Sequence, residues 1–99
     1  MIGSLHITYG SPVIGDNRHG YAISFIPESK YYPSIGNGIY KIYGENINGL
    51  NTVLIAFLQN IRITNSQNIN DILNNLHEHR KYDIRNVNLT DDEIQSYEF

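Results

Sequence analysis

Along residues 5–9, Leu5-His6-Ile7-Thr8-Tyr9, larger apolar side chains alternate with polar ones, the period of a half-buried β-strand. Gly10-Ser11-Pro12 follows as a turn signal. Gly15-Asp16-Asn17 and Gly20 keep the chain irregular until a second strand over 21–26, stopped by Pro27. The segment 28–38 holds Pro33, Gly36, Gly38 and the pair Tyr31-Tyr32, and reads as a loop before a third strand over 39–43. Connections this short favour an antiparallel meander.

The period then changes. Leu50, Val53, Leu54, Phe57, Leu58 and Ile61 recur at i, i+3, i+4, i+7, i+8 and i+11, one apolar stripe of an α-helix over about 48–60. Ile61-Arg62-Ile63-Thr64 alternates again and predicts a short fourth strand. Asn65 or Ser66 is placed to cap a second helix, with Ile69, Ile72, Leu73 and Leu76 on its apolar face. Residues 82–87 give a fifth strand. Thr90-Asp91-Asp92-Glu93 has the form of a capping box for a short terminal helix, with acids near its positive end. The predicted architecture is α/β: a mixed five-stranded sheet, with three antiparallel strands and then βαβ-type units, and helices packed on it.

This order of elements, with particular residues inside it, resembles ribonuclease H. Leu5-His6-Ile7-Thr8-Tyr9-Gly10-Ser11, the turn with Gly15-Asp16-Asn17, and Gly20-Tyr21-Ala22 are similar to that family's first hairpin, whose first strand ends in Asp-Gly-Ser. Asn46-Ile47-Asn48-Gly49-Leu50, running into Thr52-Val53-Leu54-Ile55-Ala56-Phe57, resembles its asparagine, two residues, Glu-Leu and alanine-rich helix. Ile61-Arg62-Ile63-Thr64-Asn65-Ser66-Gln67 resembles its Ile-x-Ile-x-Thr-Asp-Ser-Gln. The likeness spans roughly residues 5–80 and implies a single truncated ribonuclease H-like domain over 1–99.

The resemblance also implies where catalysis would sit, and there the chain departs from the family. Family carboxylates hold two Mg²⁺ ions, which prefer anionic oxygen ligands. Tyr9 stands where the first Asp is expected, Gly49 where the Glu is, and Asn65 where the second Asp is. A phenol with an ordinary pKa of about 10 is neutral at pH 7. Glycine offers no ligand, and an asparagine amide carries no charge. Asp91 or Asp92 is a loose counterpart of the family's final Asp, and one acid does not make that site. The expectation is a degenerate, non-catalytic member with no metal site and no cofactor.

Composition narrows the picture further. Ninety-nine residues with 40% hydrophobic content suit one globular domain. The absence of cysteine excludes disulfides, thiolate zinc sites and a cysteine nucleophile. No basic stretch followed by an apolar run opens the chain, and no segment approaches the ~20 apolar residues of a membrane span. The expected location is therefore cytoplasmic. Abundant asparagine and isoleucine read as the coding bias of an AT-rich genome, such as that of a virus. The net charge of −3 and the dispersed basic residues argue against a dedicated nucleic-acid role.

Other candidate chemistry is thinner. His6-Ile7-Thr8 has the form of a phosphoesterase half-motif, but no second copy exists, so His6 reads as an outward strand histidine. His77 and His79 flank Glu78 at i and i+2, which point to different sides of a helix, unlike the i, i+4 pairs of helical zinc sites. Asp16 and His19 share a turn with no nucleophile beside them.

Two functions follow as expectations. The first is a protein-binding scaffold, such as a viral inhibitor of a host factor. It would use Tyr31 and Tyr32, residue types enriched at interfaces, and Asp91 and Asp92 against a basic partner. A free sheet edge would offer a route to a homodimer. The alternative is a module that binds an RNA/DNA hybrid or double-stranded RNA without cleavage, through Asn17, Asn46, Arg80 and Lys81.

Overall fold

A computed structural model describes residues 1–10, 19–28, 39–44 and 46–96. Its elements run β1 (Ile2–Gly10), β2 (His19–Pro27), β3 (Ile39–Gly44), α1 (Ile47–Asn60), α2 (Ser66–His79), β4 (Lys81–Asn88) and α3 (Asp91–Ser96). The strands form a four-stranded sheet in the order β3-β2-β1-β4, and every neighbouring pair is antiparallel. The mixed five-stranded ribonuclease H-like sheet predicted from the sequence is therefore corrected. The strand after α2 pairs with β1 antiparallel, and the predicted strand over 61–64 is a turn between two helices.

The reason lies in how α1 ends. Ile61 is its C-cap, and Arg62 adopts a left-handed φ of 72°. The Arg62 amide donates to the Gln59 carbonyl and the Ile63 amide to the Leu58 carbonyl. These two bonds satisfy the last helical carbonyls in the Schellman arrangement, which brings the apolar side chains at 63 and 58 to the same side. The period-two appearance of Ile61 and Ile63 is thus the signature of a helix stop. Asn65 then caps α2, its side-chain oxygen accepting from the Gln67 and Asn68 amides.

Alternation along β1 sorts the sheet into two faces. Leu5 and Ile7 are buried, and across the ladder they meet Phe25 and Ile23 on β2 and Ile84 and Tyr82 on β4. Helices α1 and α2 pack on this face only, α1 over β2 and β3, and α2 over β1 and β4. From the predicted stripe, Leu50, Leu54, Phe57, Leu58 and Ile61 are buried, while Val53, at the margin of that arc, is 46% exposed. Ile69, Ile72 and Leu76 bury the inner side of α2. Burying each such side chain contributes about 1.5–3 kcal/mol. At one end Leu89 and Ile94 close the core against Phe25 and Phe57.

Two backbone devices shape the sheet. Gly3 faces Val87 while Leu5 faces Ile84, so three steps of β4 oppose two of β1. Asn86, at φ 59°, takes up the extra residue as a bulge. Gly3 itself is required by close approach: a Cβ there would run into the Ile26 carbonyl and stand 2.7 Å from the Phe25 ring.

Arg62 explains why a non-glycine residue tolerates its left-handed position. Its guanidinium forms a fork on the Glu93 carboxylate at 3.0 and 3.2 Å and also donates to the Asn88 carbonyl. It thereby ties the α1–α2 turn to α3 and to the end of β4. Glu93 closes the capping box predicted from the sequence, accepting from the Thr90 amide while its own amide donates to the Thr90 hydroxyl. Partial burial pushes the Glu93 carboxyl up, but hydrogen bonds from Arg62 and Thr90 outweigh it and leave it below the ordinary carboxylate value.

Two outcomes are expected from this packing. Gly3→Ala should destabilise the fold by about 1–3 kcal/mol, with roughly 4–8 °C of melting temperature per kcal/mol; an unchanged melting curve would contradict the close approach. Arg62→Ala should destabilise more than Arg62→Gly, since both lose the clamp and only glycine relieves the left-handed backbone, a difference of roughly 1 kcal/mol. A depressed carboxyl stabilises the fold above the ordinary glutamate value of about 4.3 and loses that contribution as pH falls through the folded value. Stability of both Arg62 variants should therefore fall less steeply in acid than that of the parent, as read by denaturant midpoints.

Candidate functional site

The face of the sheet that no helix among the described residues covers is built by the same alternation. Pointing away from the core are Ser4, His6 and Thr8 on β1, Ala22, Ser24 and Ile26 on β2, Lys41 and Tyr43 on β3, and Lys81, Asp83 and Arg85 on β4. Lys81 and Arg85 share β4, and strand pairing brings Lys41, 40 residues before Lys81, to the same surface. Asp83 lies among them at the centre of β4, and its Oδ1 is 2.7 Å from His6 Nδ1.

Two open hollows mark the ends of this face. One, of about 230 Å³, is bounded by Thr8, Ala22, Lys41 and Tyr43 together with Tyr9, Tyr21 and the flanking glycines. The other, of about 220 Å³, lies against Ser4, Ile26, Arg85 and the acid Glu28. Gly20 prepares the first hollow, because a Cβ there would stand 3.1 Å from the Tyr43 ring. The ring lies against that bare backbone and is 47% exposed.

Between the hollows, register sets Ser24, His6 and Asp83 in one row across β2, β1 and β4. The row has the residue types of a hydrolytic triad. A triad also requires donors aimed at a developing oxyanion, whereas backbone N–H groups inside a sheet lie in its plane and are used by the ladder.

A second polar group sits where β1, β2, α1 and α2 meet. The Tyr21 hydroxyl donates to Asn51 Oδ1 at 2.6 Å and lies 3.0 Å from His77 Nε2, which is 3.4 Å from the same asparagine oxygen. All three groups are satisfied if Nε2–H points at the phenol oxygen. The Tyr9 ring packs edge-on against His77, with centroids 4.8 Å apart, and tilted against Tyr21 at 5.4 Å. Burial, and then the neighbouring Tyr9, push the Tyr21 phenol up to about 12. A general acid or base works best with a pKa near the operating pH, and this phenol is far from it. The cluster closes the core.

The residues singled out by sequence are scattered. Tyr9 belongs to the closing cluster, Gly49 lies in the first turn of α1, and Asn65 is the cap of α2, so the three do not form one site. Asn46 caps α1, accepting from the Asn48 and Gly49 amides. Arg80 ends α2 at φ 65°, and Lys81 opens β4 opposite Thr8 on the open face. Asp91 and Asp92 are exposed in the first turn of α3. Tyr31, Tyr32, Asn17 and the Asp16 turn lie outside the described residues. His79 Nε2 lies 3.8 Å from the carboxylate of its neighbour Glu78. Among the described residues no group of three or more His, Asp or Glu side chains is placed to hold a metal ion.

Sequence reasoning missed the partnership of His6 with Asp83 and of Tyr21 with His77. Each pairs residues more than 50 positions apart, and no local pattern carries such a contact. Comparison with known protein families, curated proteins and solved structures finds no match to this chain, and none points to ribonuclease H.

The Tyr21 environment has a direct readout. The Tyr21 phenol should give a late step, near 12, in an ultraviolet titration. A raised value stabilises the fold below the ordinary tyrosine value of about 10, and that contribution drains away as pH rises from there toward the folded value. Tyr21→Phe should remove the late step and cost about 1 kcal/mol. A late phenol that persists in this variant would assign it elsewhere.

Proposed function

We propose that this chain is a binding module whose working surface is the open face of the sheet, and that its partner is a single strand of RNA or DNA. The observation behind this reading is the separation of charge. Among the described residues, Lys41, Lys81 and Arg85 share the open face with two acids, Asp83 and Glu28, while Asp71, Glu78, Asp91 and Asp92 belong to the helices. Over a Debye length of about 8 Å at physiological salt, local charge outweighs the net charge of the chain. Exposed Tyr43 adds a ring on which a base can stack. A flat sheet with cations and an aromatic side chain suits splayed bases better than the grooves of a duplex.

Magnitudes keep the reading modest. Three phosphate contacts to a single strand give a slope of about −2 in log K against log salt. Stacking on one ring contributes about 1–3 kcal/mol. The interaction is thus expected to be weak and strongly salt-dependent. The protein-binding reading draws less support. Tyr31 and Tyr32 fall outside the described residues, and Asp91 and Asp92 have a local role at the positive end of α3.

Anisotropy titrations with labelled single strands and duplexes over a range of salt test the proposal. Single strands should bind best, with a slope of about −2 that falls by about 0.7 on replacing Lys41, Lys81 or Arg85 with Gln. Tyr43→Ala should weaken binding by about fivefold or more. Absence of binding at low salt would reject the reading and turn attention to a protein partner.

A further inference from the structure

We infer that Asp83, braced by His6, selects the type of base carried across the open face, favouring bases with an exocyclic amino group over uracil and thymine. The inference rests on the nucleic-acid reading and concerns the centre of the same surface. Asp83 lies on β4 between Lys81 and Arg85, two residues to either side. At a rise of about 3.3 Å per residue, each cation is roughly 7 Å away along the strand. A phosphate is attracted to the two flanks and repelled from the middle. What passes over the carboxylate is therefore a base.

An ionised carboxylate can only accept hydrogen bonds. Cytosine and adenine offer amino donors on their pairing edges. Uracil offers one imide N–H between two carbonyl oxygens, and those oxygens are repelled by the carboxylate. His6 completes the device. With Nδ1 at 2.7 Å from Oδ1, it occupies one carboxylate oxygen and orients the side chain. The second oxygen remains for a ligand, and the side chains of His6 and Asp83 are 39% and 57% exposed. Ser24, opposite His6 in register, supplies a hydroxyl on the far side of the row. An exposed pair of this kind adds little to stability, so the orientation of Asp83 matters chiefly to what lands on it.

The cleanest probes are two labelled RNA 12-mers, oligocytidine and oligouridine. Their rings match in size and differ at position 4, an amino group against a carbonyl. Wild-type protein should bind oligocytidine roughly three- to tenfold more tightly. Asp83→Asn, whose amide both donates and accepts, should bring the ratio close to one. His6→Ala, which releases the carboxylate from its brace, should lower the ratio without abolishing it. Lys81→Gln should weaken both ligands and preserve the ratio. Equal wild-type affinity for the two oligomers, with the expected salt slope intact, overturns the selector and leaves the binding reading standing. A preference that survives Asp83→Asn overturns it as well. Binding of neither oligomer rejects both.

Discussion

The alternation along β1 is the constraint on which the rest of the molecule depends. As one of the two inner strands, β1 sets the register of β2 and β4 at once. Leu5 and Ile7 facing inward oblige Ser4, His6 and Thr8 to face outward. A slip of one residue would exchange the two sets and bury a histidine among the helices. Antiparallel sheets accept this division readily, with one side packed and the other wet. The helices supply enough apolar surface to cover one side, and alternation leaves the polar residues of β1 to the other.

Local order was largely legible in the sequence, and its limits are physical. The stripe from Leu50 to Ile61 and the alternation over 5–9 each announce an element because period and burial coincide. The Thr90–Glu93 capping box is equally local. Residues 61–64 misled because a Schellman stop also sets two apolar residues two apart. The direction of β4 was invisible for a different reason. Only Arg80 separates α2 from β4, and whether a strand leaving a helix runs with or against its neighbour is decided by where the helix packs.

The likeness to ribonuclease H motifs has a similar origin. Asn46 and Asn65, which anchored two of the three motifs, are helix caps, and asparagine is favoured there in any fold. The order of strands and helices supplied the rest. The candidate site was legible only in part. Alternation alone places Lys41, Lys81 and Asp83 outward. Their gathering, and the meeting of His6 with Asp83, needs a register between strands nearly 80 residues apart. Pairing across such distances is a property of the sheet and leaves no local trace.

The bulge at Asn86 reaches beyond the shape of β4. Among the described residues, β3 and β4 are the two edges of the sheet, each with a row of backbone groups turned outward. Such an edge invites a strand from another molecule, and a long regular one is a nucleus for fibrils. On β4 the left-handed Asn86 interrupts the regular spacing of those groups, and Lys81, Asp83 and Arg85 line the strand with charges of both signs. An incoming strand would find neither a continuous template nor an apolar surface to grip. The irregularity that adjusts one strand thus also helps keep neighbouring molecules apart at high concentration.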